Sequence, residues 1–240
     1  MKTLITFIIL LPILALANTP VTTFVPVDEV YVPRGFDAND SAEIVIAGWL
    51  PDLCHKSPRA SITVNGDTVR VKMRSLLNQG ENLICADMVV PFTKNISLGV
   101  LPSGKYKILV NKGTRYEKVS EITIQKENSF EKDDFVYANV EYVEKHPEKK
   151  EIVLKGHNPS DCYKLKNIKF ISNTKNTYSV LPIMEKIREF CPLKMQPFSY
   201  KAELPENIID ERVLLHVRAM DGNSINTIFA TDDKIFNTDQ

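Results

Sequence analysis

Neither sign of charge prevails in this chain. Thirty Lys and Arg balance thirty Asp and Glu, and the two halves are also near balance, with 12 basic and 11 acidic residues over 18–125 and 17 and 19 over 126–240. The basic excess that marks nucleic-acid binders is absent, so no nucleic acid is expected as a partner. Long apolar runs are absent beyond the first residues, and no later segment approaches the ~18 consecutive apolar residues of a membrane span. The four histidines, His55, His146, His157 and His216, show neither HxxxH nor HExxH spacing. A zinc centre of three or four convergent ligands therefore has no sequence basis. GxSxG is missing, as are a glycine-rich phosphate cradle and any recognisable pair of catalytic carboxylates. No enzyme is expected, and neither a metal nor another cofactor.

What is present begins with a leader. Met1-Lys2 supplies a short positive start, Leu4 to Leu16 is almost wholly apolar, and Ala15-Leu16-Ala17 has the small-x-small pattern of a cleavage site. Residues 1–17 are expected to be a signal peptide, and the mature protein to be exported. Four cysteines in such a chain imply two disulfides.

The dominant feature is a repeat. Glu43 to Lys56, EIVIAGWLPDLCHK, returns at Glu151 to Lys164 as EIVLKGHNPSDCYK, with Glu, Ile, Val, Gly, Pro, Cys and Lys at the same places. A second echo sets Cys85 and Pro91-Phe92 against Cys191 and Pro197-Phe198. Repetition at a fixed offset means two copies of one structural unit. It selects Cys54–Cys85 and Cys162–Cys191 from the three possible connectivities. Two domains are expected, at 18–125 and 135–240, joined by a charged linker at 126–134.

Each copy reads as short strands. In Glu43 to Leu50, residues Ile44, Ile46, Gly48 and Leu50 lie on one face and Val45, Ala47 and Trp49 on the other, so a central strand is expected. Asn65-Gly66 suits a two-residue hairpin turn. Pairing across it aligns Ala60, Ile62, Val64, Val69 and Val71 on a buried face, with Arg70, Lys72 and Arg74 pointing outwards. Further strands are expected at 83–92, 119–124 and 136–143, and a hairpin around Thr174-Lys175-Asn176. Ile183, Ile187 and Phe190 have helical spacing, which predicts a short helix before Cys191. Short strands with regular turns and an internal disulfide predict an all-β chain of two antiparallel β-sandwiches.

The stretch LPSGKYKILV resembles the late hairpin of bacterial immunoglobulin-like and fibronectin-type-III-like domains, in which a Gly makes the turn and a Tyr packs at the corner. GFDAND…LPDLCHKSP resembles secreted proteins of Gram-negative bacteria. These resemblances imply tandem immunoglobulin-like sandwiches in the periplasm or outside the cell, and bring no catalytic residues with them.

Two features are candidate binding sites. The stripe Arg70, Lys72 and Arg74, with His55, Lys56 and Arg59 nearby, could meet sulfate, phosphate or carboxylate groups; a solvated sheet face is the plainer reading. Trp49 could stack on a sugar or anchor a partner, or simply pack under a neighbouring strand. Asp37 to Ser41 begins like a calcium loop, but Ala42 stands where the sharp turn needs Gly and Gly48 where a bidentate Glu belongs, so a polar turn is expected. Calcium at the junction, through Asp133, Asp134 or Asp221, is a rarer possibility. The expected function is non-catalytic binding or adhesion to a protein or an envelope glycan. An assembly factor resembling the pilus-type chaperones, or a structural subunit, is the alternative, and a hydrolase a third.

Overall fold

The computed structural model describes residues 19–80, 83–206, 208 and 212–230. The segment 1–17, expected as a signal peptide, and the tail beyond Ala230 lie outside them. The described residues form fifteen strands: β1 Val21–Phe24, β2 Val27–Tyr31, β3 Ser41–Leu50, β4 His55–Asn65, β5 Thr68–Leu77, β6 Val90–Val100, β7 Gly104–Val110, β8 Lys118–Ile124, β9 Val140–His146, β10 Glu151–Asn158, β11 Tyr163–Ser172, β12 Thr177–Lys186, β13 Gln196–Glu203, β14 Arg212–Ala219 and β15 Asn223–Ala230. Among the described residues there is no α-helix, only two short 3-10 turns.

The strands form two β-sandwiches. In the first, β2-β3-β6 faces a sheet of β4, β5, β7 and β8 with β1; in the second, β9-β10-β13 faces β11-β12-β14-β15. Each has its own core. Ile44, Ile46, Val69, Val71, Met73 and Ile108 fill the first. Ile152, Leu154, Val180, Val213, Leu215 and Val217 fill the second. At ~25 cal/mol per Å2 of apolar surface removed from water, these aliphatic side chains dominate the stabilisation.

The two echoes of the repeat lie side by side. Gly48 pairs with Phe92 and Trp49 with Pro91, while Gly156 pairs with Phe198 and His157 with Pro197. Asp52 Oδ1 accepts the Cys54 N–H at 2.8 Å, and Ser160 Oγ accepts the Cys162 N–H at 3.2 Å, so different residues make the same turn in each copy. The disulfides join Cys54 to Cys85 and Cys162 to Cys191, with Cα atoms 5.4 and 5.6 Å apart, as the repeat selected. Each ties the turn after the repeated strand to the segment entering the next strand of that sheet. Tyr106 donates its hydroxyl to the Pro102 carbonyl at 2.9 Å, the corner contact that LPSGKYKILV predicts.

Several boundaries differ from expectation. Thr19 to Pro33, which reads as an irregular entry and one first strand, holds two strands, β1 and β2, parted at Val25-Pro26, because a proline cannot donate to a ladder and marks the point where the chain changes sheet. Residues 83–89, expected as strand, are irregular, and the strand starts at Val90. Val136 to Asn139 is likewise outside β9. The helix expected before Cys191 does not form. Thr177 to Met184 is buried on both faces as β12, paired with β11 on one side and β14 on the other. Of the three residues at helical spacing, Ile183 lies in β12, while Ile187 and Phe190 lie past its end and are exposed, so they share no buried face. Pairs are antiparallel except β5·β7 and β12·β14, which run parallel because β6 and β13 cross to the other sheet before the chain returns. That connectivity is a difference from the antiparallel sheets of immunoglobulin domains.

The first hairpin departs from expectation in register and in burial: its two-residue turn is Gly66-Asp67, not Asn65-Gly66, which moves every pair on by two residues while keeping each side chain on its expected face. Val64 pairs with Val69 and Ile62 with Val71, yet Ile62 is 38% and Val64 42% exposed. Strand β4 overhangs the core.

Candidate functional site

The predicted stripe belongs to a larger basic face. Arg70 and Lys72 are exposed and Arg74 half-buried, its guanidinium 4.7 Å from the centre of the Phe24 ring. Directly opposite residues on paired strands point to the same side of a sheet. Arg59 is opposite Arg74, and Lys107 is beside Thr68 and opposite Glu121; Lys105 follows on the same face of β7, opposite Thr123. Arg59, Arg70, Lys72, Arg74, Lys105 and Lys107 therefore share one outer face, with Glu121 as the carboxylate on the strands beside them. None of the six forms an ion pair among the described residues. Arg59 facing Arg74 is a like-charge pair, which destabilises a sheet unless an anion lies between.

Sequence reading found the three cations of β5 but not Lys105 and Lys107, since a parallel pairing across a sheet change has no local signature. His55 sits off this face, with Nδ1 2.9 Å from Asp52 Oδ1. That hydrogen bond is the first of the causes holding the half-buried Asp52 carboxyl below its ordinary value.

Trp49 is not part of the basic face. It lies on β3, in the opposite sheet, half-buried, with Nε1 donating to Asp28 Oδ1 at 3.2 Å. In the second sandwich His157 Nδ1 meets Glu141 at 3.1 Å in the equivalent place. The position is one where a ring nitrogen is held by a carboxylate on the preceding strand.

A second constellation lies where the sandwiches meet. Val45 and Ala47, on the outward side of β3, pack with Tyr31 against Leu214. This explains why both faces of the repeated strand are apolar in the first copy. Beside it, Arg218 is bidentate to Asp40, at 2.5 and 3.1 Å, and reaches Asp133 at 2.7 Å, while Asp133 accepts the Gly222 N–H at 2.9 Å. The guanidinium lies 5.4 Å from the ring centres of both Phe36 and Tyr137. Burial pushes the Tyr137 phenol up to about 12. Burial also raises Asp37, which forms the polar turn with Asn39 and Asp40. The junction acidic residues Asp40 and Asp133 thus converge on a cation, and that cation is Arg218. The one metal-like grouping among the described residues, Asp52 with Cys54 and Cys85, has both sulfurs in a disulfide.

Glu43 completes the junction. Its Oε1 accepts Ser224 Oγ–H and Asn226 Nδ2–H at 2.6 Å each, and His216 Nδ1 is 3.1 Å away. Burial pushes the Glu43 carboxyl up, but the hydrogen bond and charge of His216 and the two other donors outweigh it and hold the group at about 2. A depressed carboxylate adds stability above its unfolded value near 4.5 and loses it as pH falls towards 2. Over that window the junction is expected to weaken by on the order of 2–3 kcal/mol. Acid titration followed by near-ultraviolet circular dichroism should show a transition there that Glu43→Gln flattens; an unchanged curve would remove Glu43 from the account.

A cleft of about 570 Å3 opens beside the junction, lined in part by Arg34, Gln125, Asn128, Phe135, Tyr137 and Lys169. Asp134 also lines it and accepts a hydrogen bond from Asn128 at 3.2 Å.

A family model described as the ORF11 beta-sandwich domain matches residues 44–122, from within β3 to within β8. No curated protein and no solved structure matches the chain.

Proposed function

We propose that this is an exported, non-catalytic binding protein that recognises an anionic polymer of the cell envelope through the outer face of β4, β5, β7 and β8. The observation that carries this reading is the set of six cations without ion-pair partners among the described residues, on one sheet face of a chain of zero formal charge. Half of the first sandwich's 12 basic residues are gathered there. Cations at alternate positions of neighbouring strands form a two-dimensional grid suited to repeating sulfate, phosphate or carboxylate groups. Arginine recognises such groups through its planar fork of donors, and lysine meets them as a point charge. The bonds across the junction hold the face at a set angle to the second sandwich. The two disulfides fit an oxidising compartment, the periplasm or the exterior, and no helix among the described residues is long and apolar enough to cross a membrane.

Retention on a sulfated-polysaccharide column and titration by calorimetry test the reading. The wild-type chain should bind heparin and polyglutamate, used as probes, with an affinity that falls steeply with salt. Arg70→Glu/Lys72→Glu should lose about tenfold or more, with far-ultraviolet circular dichroism unchanged. Trp49→Ala should bind as wild type. Equal binding by the charge-reversed variant would take the site off this face.

A further inference from the structure

We propose that two copies of the chain join edge to edge through β4, in antiparallel register about a two-fold axis at Ile62. Among the described residues β4 pairs with β5 alone, so its other edge carries backbone groups without a strand partner there. The two-residue Gly66-Asp67 turn closes on the pair Asn65 and Thr68. In an antiparallel ladder hydrogen-bonded and non-hydrogen-bonded pairs alternate, so the N–H and C=O groups of Ala60, Ile62 and Val64 face away from β5. Of these, Ile62 and Val64 carry the side chains that overhang the core, while Ala60 packs against it.

Natural sheets guard such edges with charge, proline or a covering element. Past the irregularity at Ser57-Pro58, the stretch Ala60 to Asn65, ASITVN, has none of these. The equivalent edge of the second sandwich is guarded: β11 carries Lys164, Lys166 and Lys169, and its Leu165, Ile168 and Phe170 pack against their core. The contrast between two copies of one unit marks β4 as the edge left open.

The occupant that fits is β4 itself. With the axis at Ile62, each Ile62 meets the Ile62 of the second copy, Ala60 meets Val64, Ser61 meets Thr63, and Arg59 meets Asn65. The apolar pairs share one face and the polar pairs the other. Every directly opposed pair is compatible, and no charge meets its like. The pairs at Ala60, Ile62 and Val64 are the ones that exchange hydrogen bonds, because those residues hold the free backbone groups. The interface is isologous and closes as a dimer. It also joins the two basic faces into one continuous surface.

The joined basic faces repel, so added salt strengthens this dimer, whereas it weakens binding to an anionic polymer. The two proposals are therefore separable in one salt series. Sedimentation equilibrium of the oxidised mature chain should give a dimer whose dissociation constant falls with salt. Ile62→Lys should be monomeric, with unchanged far-ultraviolet circular dichroism, since Ile62 stands at the open edge and is already 38% exposed. Ile62→Cys should form a covalent dimer through residue 62 in non-reducing peptide maps, and Val119→Cys, exposed on β8, should not. A wild-type chain monomeric at every concentration would overturn the proposal. So would a dimer that survives Ile62→Lys, or a monomer that instead takes up an alternating apolar peptide at this edge.

Discussion

Replacing Arg218 with Met should destabilise the protein by about 3–5 kcal/mol, because two carboxylates with little or no access to water lose their shared counter-charge. The Arg218 side chain is 6% exposed, and those of Asp40 and Asp133 are 5% and 13% exposed. At roughly 2–4 °C per kcal/mol for a chain of this size, the melting temperature should fall by roughly 6–20 °C. Arg218 stands on the second sandwich, Asp40 on the first and Asp133 between them. The loss should therefore appear as an uncoupling of the sandwiches, with calorimetry resolving two transitions. Adding Asp40→Asn and Asp133→Asn should restore much of the loss, since the penalty lies in the unpaired charges. If Arg218→Met alone shifted stability by less than about 1 kcal/mol, solvent would have to reach the carboxylates.

The second large effect is one of space. Alanine in place of a strand glycine ordinarily stabilises, by about 0.5–1 kcal/mol. At Gly48 and Gly156 the sign should reverse. A Cβ at Gly48 would stand 2.3 Å from the Pro26 carbonyl oxygen and 2.9 Å from Phe92 Cζ, and at Gly156 2.1 Å from the Asn139 oxygen and 3.0 Å from Phe198 Cζ. The nearest atom is backbone in both copies, so the adjoining strand must move. We expect a loss of about 3 kcal/mol at each position, the upper end for overpacking. Chemical denaturation of Gly48→Ala and Gly156→Ala measures it. Trimming the ring with Phe92→Leu or Phe198→Leu should not rescue, because the obstruction is the carbonyl. Rescue would show that the ring, and not the backbone, sets the requirement.

These glycines show what could be read before the fold. Their repetition at the same place in both copies is plain in the sequence; the reason is not, since Pro26 and Asn139 lie just before β2 and β9, whose approach is a tertiary matter. The basic stripe divides in the same way. Arg70, Lys72 and Arg74 alternate along one strand, so period two reveals them. Lys105 and Lys107 join them only because β7 runs parallel to β5 after a passage through the other sheet. Trp49 was visible as the lone tryptophan, and its carboxylate partner Asp28 was not. The helix expected before Cys191 is absent because Ile183 is drawn into β12 by pairing with β11, while Ile187 and Phe190 lie past the strand and are exposed; helical spacing alone could not show which of the three would be buried.

The chain by itself determined its class, its repeat and its disulfides. Alternation, turn residues and recurrence at a fixed offset are local signals, and a strand or hairpin follows from them wherever it lies. The tertiary structure alone decided which face of each sheet is covered. It buries the outer side of β3 under the second sandwich, places Arg218 between carboxylates distant in sequence, and leaves β4 and the basic face open. Burial depends on what packs across a gap, and packing between strands far apart along the chain has no period to read.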